Sequence, residues 1–273
     1  LVLDIRLLVL DIDGTISGRS NDTSNAVKQA IRAVQERGIQ VAIATGRMYC
    51  SAMRFHQCIG SQLPAIAYNG AWIQDPQTGK LARHLPVAST LVAQILEDLE
   101  QPELIDRLGI HFYIGDRLYV RQITAQTESY AKRSGVEPIA VGDLRSLLDR
   151  HPTKVLAISS EVALIQELLC HLQQRYAKNE LYLTQSTANF LEVTHPDANK
   201  GSATRYLSEE ILGLEAKNVM AIGDNFNDAS MLQYAGLSVA MGDAPITLQE
   251  LADWVAPSVE EDGVAVAIEK FLL

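Results

Sequence analysis

The chain has 273 residues, 47% hydrophobic and 21% charged, an ordinary globular composition that can bury a generous core without a disulfide or metal staple. A net charge of −10 argues against a nucleic-acid partner, which would want a basic face, and means that an anionic ligand needs local positive charge. Cys50, Cys58 and Cys170 show no metal-ligand spacing, Leu1–Leu10 lacks a signal-peptide layout, and no stretch approaches the ~18 apolar residues of a membrane span. A soluble, cytoplasmic protein with reduced thiols and no membrane partner is expected.

Arg6–Leu10 is a continuous apolar run, the mark of a strand covered on both faces. A helix is predicted from Asn25 to Arg37, capped by Ser24 or Thr23 and stopped by Gly38. Ile39–Ala44 reads as a second buried strand, Cys50–Ile59 as a helix, and Ala65–Tyr68 as a third strand. This alternation implies a parallel, doubly wound sheet.

The middle of the chain has a different grammar. Helical patterns over Thr90–Glu100 and Val162–Tyr176 are mixed with short strands, His111–Ile114 and Leu118–Arg121 joined as a hairpin through Gly115-Asp116, then Val155–Ser159 and Leu181–Thr184. An α+β module inserted into the α/β domain is expected, giving core residues 1–83, an insert 84–189 and core residues 190–273. The α/β grammar then resumes: helix Gly201–Leu212, strand Val219–Ile222, helix Asp228–Tyr234, strand Leu237–Ala240 and helix Val264–Phe271. There is no internal repeat.

Chemistry gathers where these strands end. Asp11-Ile12-Asp13-Gly14-Thr15 follows the first strand, and ligands of open α/β sheets bind outside the carboxyl ends of the strands. Period two would put Asp11 and Asp13 on one side, a repulsion that a hard divalent ion such as magnesium, or a proton, resolves. Asp-Gly is also a common turn dipeptide, so alone the segment reads equally as a surface turn. A calcium loop is excluded because Gly14 falls too early and no Glu closes it. Gly223-Asp224-Asn225-Phe226-Asn227-Asp228 follows the strand Val219–Ile222 and reads alone as an Asx-rich loop capping the next helix, with Asp228 a candidate cap. Two acidic clusters at strand ends on one sheet edge are harder to dismiss than either alone. Thr45-Gly46-Arg47 offers a hydroxyl, an amide and a guanidinium suited to phosphate oxygens, though such a turn caps helices as often. Lys200 opens a helix, where an ammonium opposes the dipole unless an anion or the Asp11 carboxylate lies near.

In this order the four segments resemble the motifs of the haloacid dehalogenase (HAD) superfamily. Tyr68-Asn69-Gly70-Ala71 and Ala240-Met241-Gly242-Asp243-Ala244 look like its Cof-type branch of sugar phosphatases. The resemblance covers nearly the whole chain. Asp243 stands where the branch more often has Asn, and His195-Pro196-Asp197-Ala198 is more polar than usual; neither touches the chemistry.

The resemblance implies a Rossmann-like core with a large inserted α+β cap that closes over the site and reads the leaving group. It implies a Mg2+-dependent phosphatase for small phosphate monoesters, sugar phosphates foremost. Asp11 would be the nucleophile, Asp13 the acid and base, and Lys200 the group that keeps Asp11 ionised. Asp11, the Asp13 carbonyl and Asp224 would hold magnesium; Thr45, Gly46, Arg47 and Asn227 would grip phosphate; Asp228 would support the set, orienting Lys200 or a metal-bound water. Arg47, Asn69 and His195 fall near the site by motif position. A phosphomutase shares these motifs, and a silent phosphate-binding regulator is disfavoured because nucleophile, acid, lysine and metal carboxylate are all present. The leaving group and the choice between monomer and homodimer are not legible.

Overall fold

The apolar run after Arg6 folds as β1 (Leu7–Leu10), and all four of its residues are buried. The computed structural model describes residues 4–185 and 187–273; Leu1–Leu3, part of the amino-terminal segment considered above, and Ser186 lie outside the described residues. After β1 come α1 (Asn25–Glu36), β2 (Gln40–Ile43), α2 (Tyr49–Cys58), β3 (Ala65–Ala67), β4 (Trp72–Gln74) and β5 (Leu81–His84). Ser24 caps α1 by accepting from the Val27 amide.

The middle segment contributes α3 (Ser89–Leu99), β6 (Gly109–Ile114), β7 (Arg117–Val120), α4 (Ala125–Ser134), β8 (Pro138–Ala140), β9 (Lys154–Ile158), α5 (Val162–Arg175), β10 (Tyr182–Thr184) and β11 (Phe190–Thr194). The chain ends with α6 (Lys200–Arg205), prolonged by a π-helical turn over Tyr206–Ile211, then β12 (Val219–Gly223), α7 (Ala229–Tyr234), β13 (Leu237–Ala240), α8 (Ile246–Gln249), β14 (Trp254–Val255) and α9 (Gly263–Phe271).

Two units result, one comprising Leu1–Arg83 with Asn199–Leu273 and the other His84–Ala198. The first is built on an all-parallel sheet in the order β14-β13-β12-β1-β2. Alternation sends Leu8, Leu10, Val41, Ile43, Met220 and Ile222 into a core shared with α1 and α9. Leu7, Val9, Ala42, Val219 and Ala221 enter the opposite core with Leu207, Met231 and Leu232. Helices on both faces explain why these strands are apolar throughout. The chain leaves β1 toward β2 and later returns to β12 on its other side, so the topological switch lies between β1 and β12, where such sheets bind ligands.

β3 was expected to extend the parallel sheet, and it follows the end of β2 in parallel through the Ala44–Ile66 bridge, with the Thr45 amide donating to the Ile66 carbonyl. This contact is a single bridge rather than a ladder; the ladder of β3 is antiparallel to β4 in a three-stranded sheet, since the chain reverses at Tyr68–Gly70.

The second unit has a six-stranded sheet, β10-β11-β9-β6-β7-β8, antiparallel except where β7 meets β8. Ile95, Leu96, Leu99, Ile165, Leu168 and Leu172 of α3 and α5 pack on its apolar face. Gly115 and Asp116 both have positive φ, the conformation a two-residue hairpin loop requires. This unit extends to Ala198, beyond the expected boundary at Asn189, because β11 is held between β9 and β10. Among the described residues no helix is long and apolar enough to cross a membrane, and Cys50, Cys58 and Cys170 are free thiols.

Candidate active site

At the switch point β1 and β12 run side by side, Leu10 against Ile222, and the Asp11 amide continues the ladder to the Ile222 carbonyl. Asp11 is therefore fixed at the sheet edge beside the loop that carries Asp224. Its carboxylate is buried and accepts from Lys200 Nζ at 2.6 Å. Lys200, fully buried in the first turn of α6, also donates to Asp228 Oδ1. The other oxygen of Asp228 accepts from the amides of Asp224 and Asn225 at 2.9 and 3.0 Å. Asp228 thus ties the lysine to the β12 loop, and it caps that loop as its residue type allows.

Asp11, Asp224 and Asp228 each offer an oxygen within 4.8 Å of the others. Thr15 Oγ1 donates to Asp224 Oδ1 at 3.0 Å, a contact that sequence reading did not assign. The Asp-x-Asp-Gly-Thr spacing carries its signal, since the turn after Asp11 brings Thr15 back. Gly14 is required there: φ is +84°, and a Cβ would lie 2.2 Å from Asp224 Oδ2.

The Ile12 carbonyl collects the amides of Ile16 and Ser17, so the chain leaves extended geometry there. Beyond burial and Asp228, the charge of Asp13 still helps to raise the Asp11 carboxyl, as expected of two neighbouring carboxylates, but Asp13 also has a partner of its own. Its half-exposed carboxylate is gripped by Arg47, Nε to Oδ2 at 2.7 Å and Nη2 to Oδ1 at 2.6 Å. Arg47 Nη2 also reaches Asn21 Oδ1 at 2.8 Å, and the guanidinium lies over the Phe55 ring, 4.6 Å to the centroid. The carboxylate of Asp13 is thus outside the three-aspartate group, and the Arg47 fork is taken up by Asp13 and Asn21.

Thr45 is buried, and its Oγ1 accepts from the Arg47 amide at 3.1 Å. Asn227 is buried and donates from Nδ2 to Asn69 Oδ1 at 3.0 Å, while the Asn69 amide donates to the Thr45 carbonyl. Asn69 therefore joins two of the segments expected to meet phosphate. His195 lies in the second unit, where its Nδ1 accepts from the Asp197 amide at 3.1 Å.

Three carboxylates against one ammonium leave two negative charges unbalanced. Burial first, then Asp228, pushes the Asp11 carboxyl up to about 7, with Lys200 opposing. Burial, then Asp11 and Asp228, pushes Asp224 up to about 9. Burial alone would lower Lys200, but Asp11 and Asp228 outweigh it and hold the ammonium above its ordinary range. The lysine stays charged, and its neighbours cannot all be ionised without another cation. An all-oxygen, doubly negative pocket fits a hard divalent ion such as magnesium.

Fold and site together define an α/β enzyme with an acidic centre at the carboxyl edge of its parallel sheet. A haloacid dehalogenase-like hydrolase model matches residues 8–268. The chain is 30% identical to the Bacillus subtilis protein YxeH over 98% of both chains. It is 28% identical to the B. subtilis 5-amino-6-(5-phospho-D-ribitylamino)uracil phosphatase YcsE, covering 99% of this chain and 97% of that one. The crystal structure of TM0651 from Thermotoga maritima superimposes with a TM-score of 0.82 at 28% identity, covering 97% of each chain. The chain belongs to the haloacid dehalogenase-like hydrolase family.

Proposed function

We propose that this hydrolase is a magnesium-dependent phosphatase of the Cof type, acting on small phosphate monoesters, sugar phosphates foremost, through a phosphoryl group carried on Asp11. The observation that carries the reading is the Asp11 carboxylate held 2.6 Å from a fully buried lysine, in one group with Asp224 and Asp228. A divalent ion held by Asp11, the Asp13 carbonyl and Asp224 would offset the charge of a dianionic phosphate beside an anionic nucleophile.

Asp11 attacks phosphorus while the bond to the ester oxygen breaks, and Asp13 gives that oxygen its proton. Asp13 then takes a proton from water as the water displaces Asp11, releasing inorganic phosphate and restoring the carboxylate. Lys200 keeps Asp11 ionised and aimed, with Asp228 fixing the lysine in turn. Thr45, the Gly46 amide and Asn227 grip the remaining phosphate oxygens. The inserted unit, His84–Ala198, reads the leaving group as a specificity cap. The relative YcsE is named for a phosphorylated ribityl compound, which favours polyhydroxylated leaving groups here. The free thiols accord with work in the cytoplasm.

A screen of phosphate monoesters for released phosphate, with and without magnesium, tests this. Wild type is expected to turn over only with the metal, and Asp11→Asn to lose turnover while keeping its circular dichroism. Full activity of Asp11→Asn, with deamidation excluded by mass, would refute the nucleophile. Transfer of the group to a second sugar without phosphate release would make the chain a mutase.

A further inference from the structure

Tyr68, Asn69 and Gly70 have φ of 52°, 54° and 95°, three consecutive residues in the left-handed region. Glycine adopts it freely, asparagine tolerates it, and for a residue as bulky as tyrosine it is an outlier. Such outliers persist where surrounding structure over-determines them, and they gather at functional sites.

Three segments impose this turn. The Tyr68 and Asn69 amides donate to the Arg47 and Thr45 carbonyls, both at 2.9 Å. Gly70 closes on the start of α6, where a Cβ would meet the Asn199 carbonyl and Ala203 Cβ at 2.7 Å. Asn69, fully buried, accepts from Asn227 Nδ2 at 3.0 Å. The same Asn69 oxygen lies 3.0 Å from where a Cβ on Gly46 would stand. One strained turn thus touches the loop of Thr45 and Gly46, the loop of Asn227, and the helix that begins with Lys200.

We propose that Asn69 is a positioning residue of the phosphate grip, which sets the Asn227 amide and the Gly46 backbone against each other. A primary amide has two N–H groups, and fixing one on Asn69 fixes the direction of the other, the one a phosphate oxygen takes. The left-handed backbone is what brings a buried side-chain oxygen to this meeting point. The inference rests on the phosphatase reading above.

Orthovanadate, a mimic of phosphate in its transition state, is the probe, with full-length protein and magnesium. Asn69→Gly keeps the left-handed backbone and deletes the amide, so its vanadate inhibition constant should rise about ten-fold with an unchanged circular dichroism spectrum. Asn227→Ala should weaken vanadate as well, and the double variant should be no worse than the more impaired of the two single variants by more than about two-fold, because the two side chains act as one unit. Additive losses, or vanadate affinity within two-fold of wild type in Asn69→Gly, overturn the proposal. Should Asn69→Gly not fold, Asn69→Ser replaces it: the shorter side chain withdraws the oxygen that Asn227 Nδ2 reaches at 3.0 Å without adding charge, so vanadate should weaken to a similar degree. Unchanged vanadate affinity in that variant overturns the proposal equally. A wild type that neither releases phosphate nor binds vanadate would fail the phosphatase reading itself, a result distinct from these.

Discussion

Asp11 and Asp13 stand two positions apart in one short run, yet their surroundings differ in kind. Asp11 is buried against an ammonium and two carboxylates, whereas Asp13 is half-exposed and clasped by a guanidinium. The bidentate geometry fixes the Asp13 carboxylate more firmly than a single hydrogen bond could, and Phe55 and Asn21 hold Arg47 in turn. On the proposed chemistry this makes Arg47 a positioning residue for proton transfer rather than the phosphate ligand its motif position implied. Arg47→Ala should therefore lower kcat/KM for sugar phosphates, whose alkoxide must be protonated, by roughly 10²-fold, the low end of what a placed acid contributes. p-Nitrophenyl phosphate, with a leaving group that needs no proton, should lose about ten-fold less. Equal losses on both substrates would assign Arg47 to phosphate binding instead. That Asp11, Asp224, Asp228 and Lys200 meet was legible because acidic runs close two buried strands of one parallel sheet and a lysine opens the helix between them. The pairing of Asp13 with Arg47 was not, because it depends on the chain leaving the strand at Ile12.

At the scale of elements, what sequence reveals depends on how much apolar surface an element must hide. β1, β2, β12 and β13 are buried and nearly unbroken in hydrophobicity, and each was readable to within two residues at either end. α4 was not, because Thr127 and Ala131 are its only buried residues and the rest of its surface is polar. β11 hid for another reason: Glu192 interrupts Phe190–Thr194, a buried charge that Lys154 of β9 meets at 3.2 Å. β4 and β5 are short and follow a strained reversal with no apolar alternation to announce them. The junction of α6 and α7 carries its own prediction. A Cβ on Gly201 would lie 2.3 Å from the Ser230 carbonyl, and the Gly201 amide donates to Ser230 Oγ at 3.0 Å. Neither backbone can yield without moving Lys200, one residue away. Gly201→Ala should cost about 1–3 kcal/mol of stability, as overpacking does. Its kcat should fall further than that of an equally destabilised variant far from the site, such as Ser24→Ala at the cap of α1. Equal kcat at equal loss of melting temperature would separate the helix junction from the lysine.

For the whole molecule, a net charge of −10 and a buried acidic centre bind stability to pH and to cation. Without metal, burial and mutual repulsion raise the carboxyls of Asp11 to about 7 and Asp224 to about 9, against 3.8 in an unfolded chain. A raised carboxyl binds its proton more tightly in the folded state, so the folded protein holds extra protons throughout that window. Stability then falls as pH climbs from about 4 toward about 9, as the folded state must give up protons that the unfolded chain has already lost. A divalent ion replaces those protons as the balancing charge and binds only the folded protein, so it should remove the slope and stabilise most at high pH. Thermal melts of metal-free protein should show a midpoint roughly 5–10 °C lower at pH 9 than at pH 6, and millimolar magnesium should close most of that gap. Asp224→Asn should remove the share of the metal-free slope that Asp224 carries, chiefly above about pH 7, while abolishing the response to magnesium. A metal-free midpoint that rises with pH, or a magnesium shift of equal size at both pH values, would mean that these carboxylates are not the groups that the cation serves.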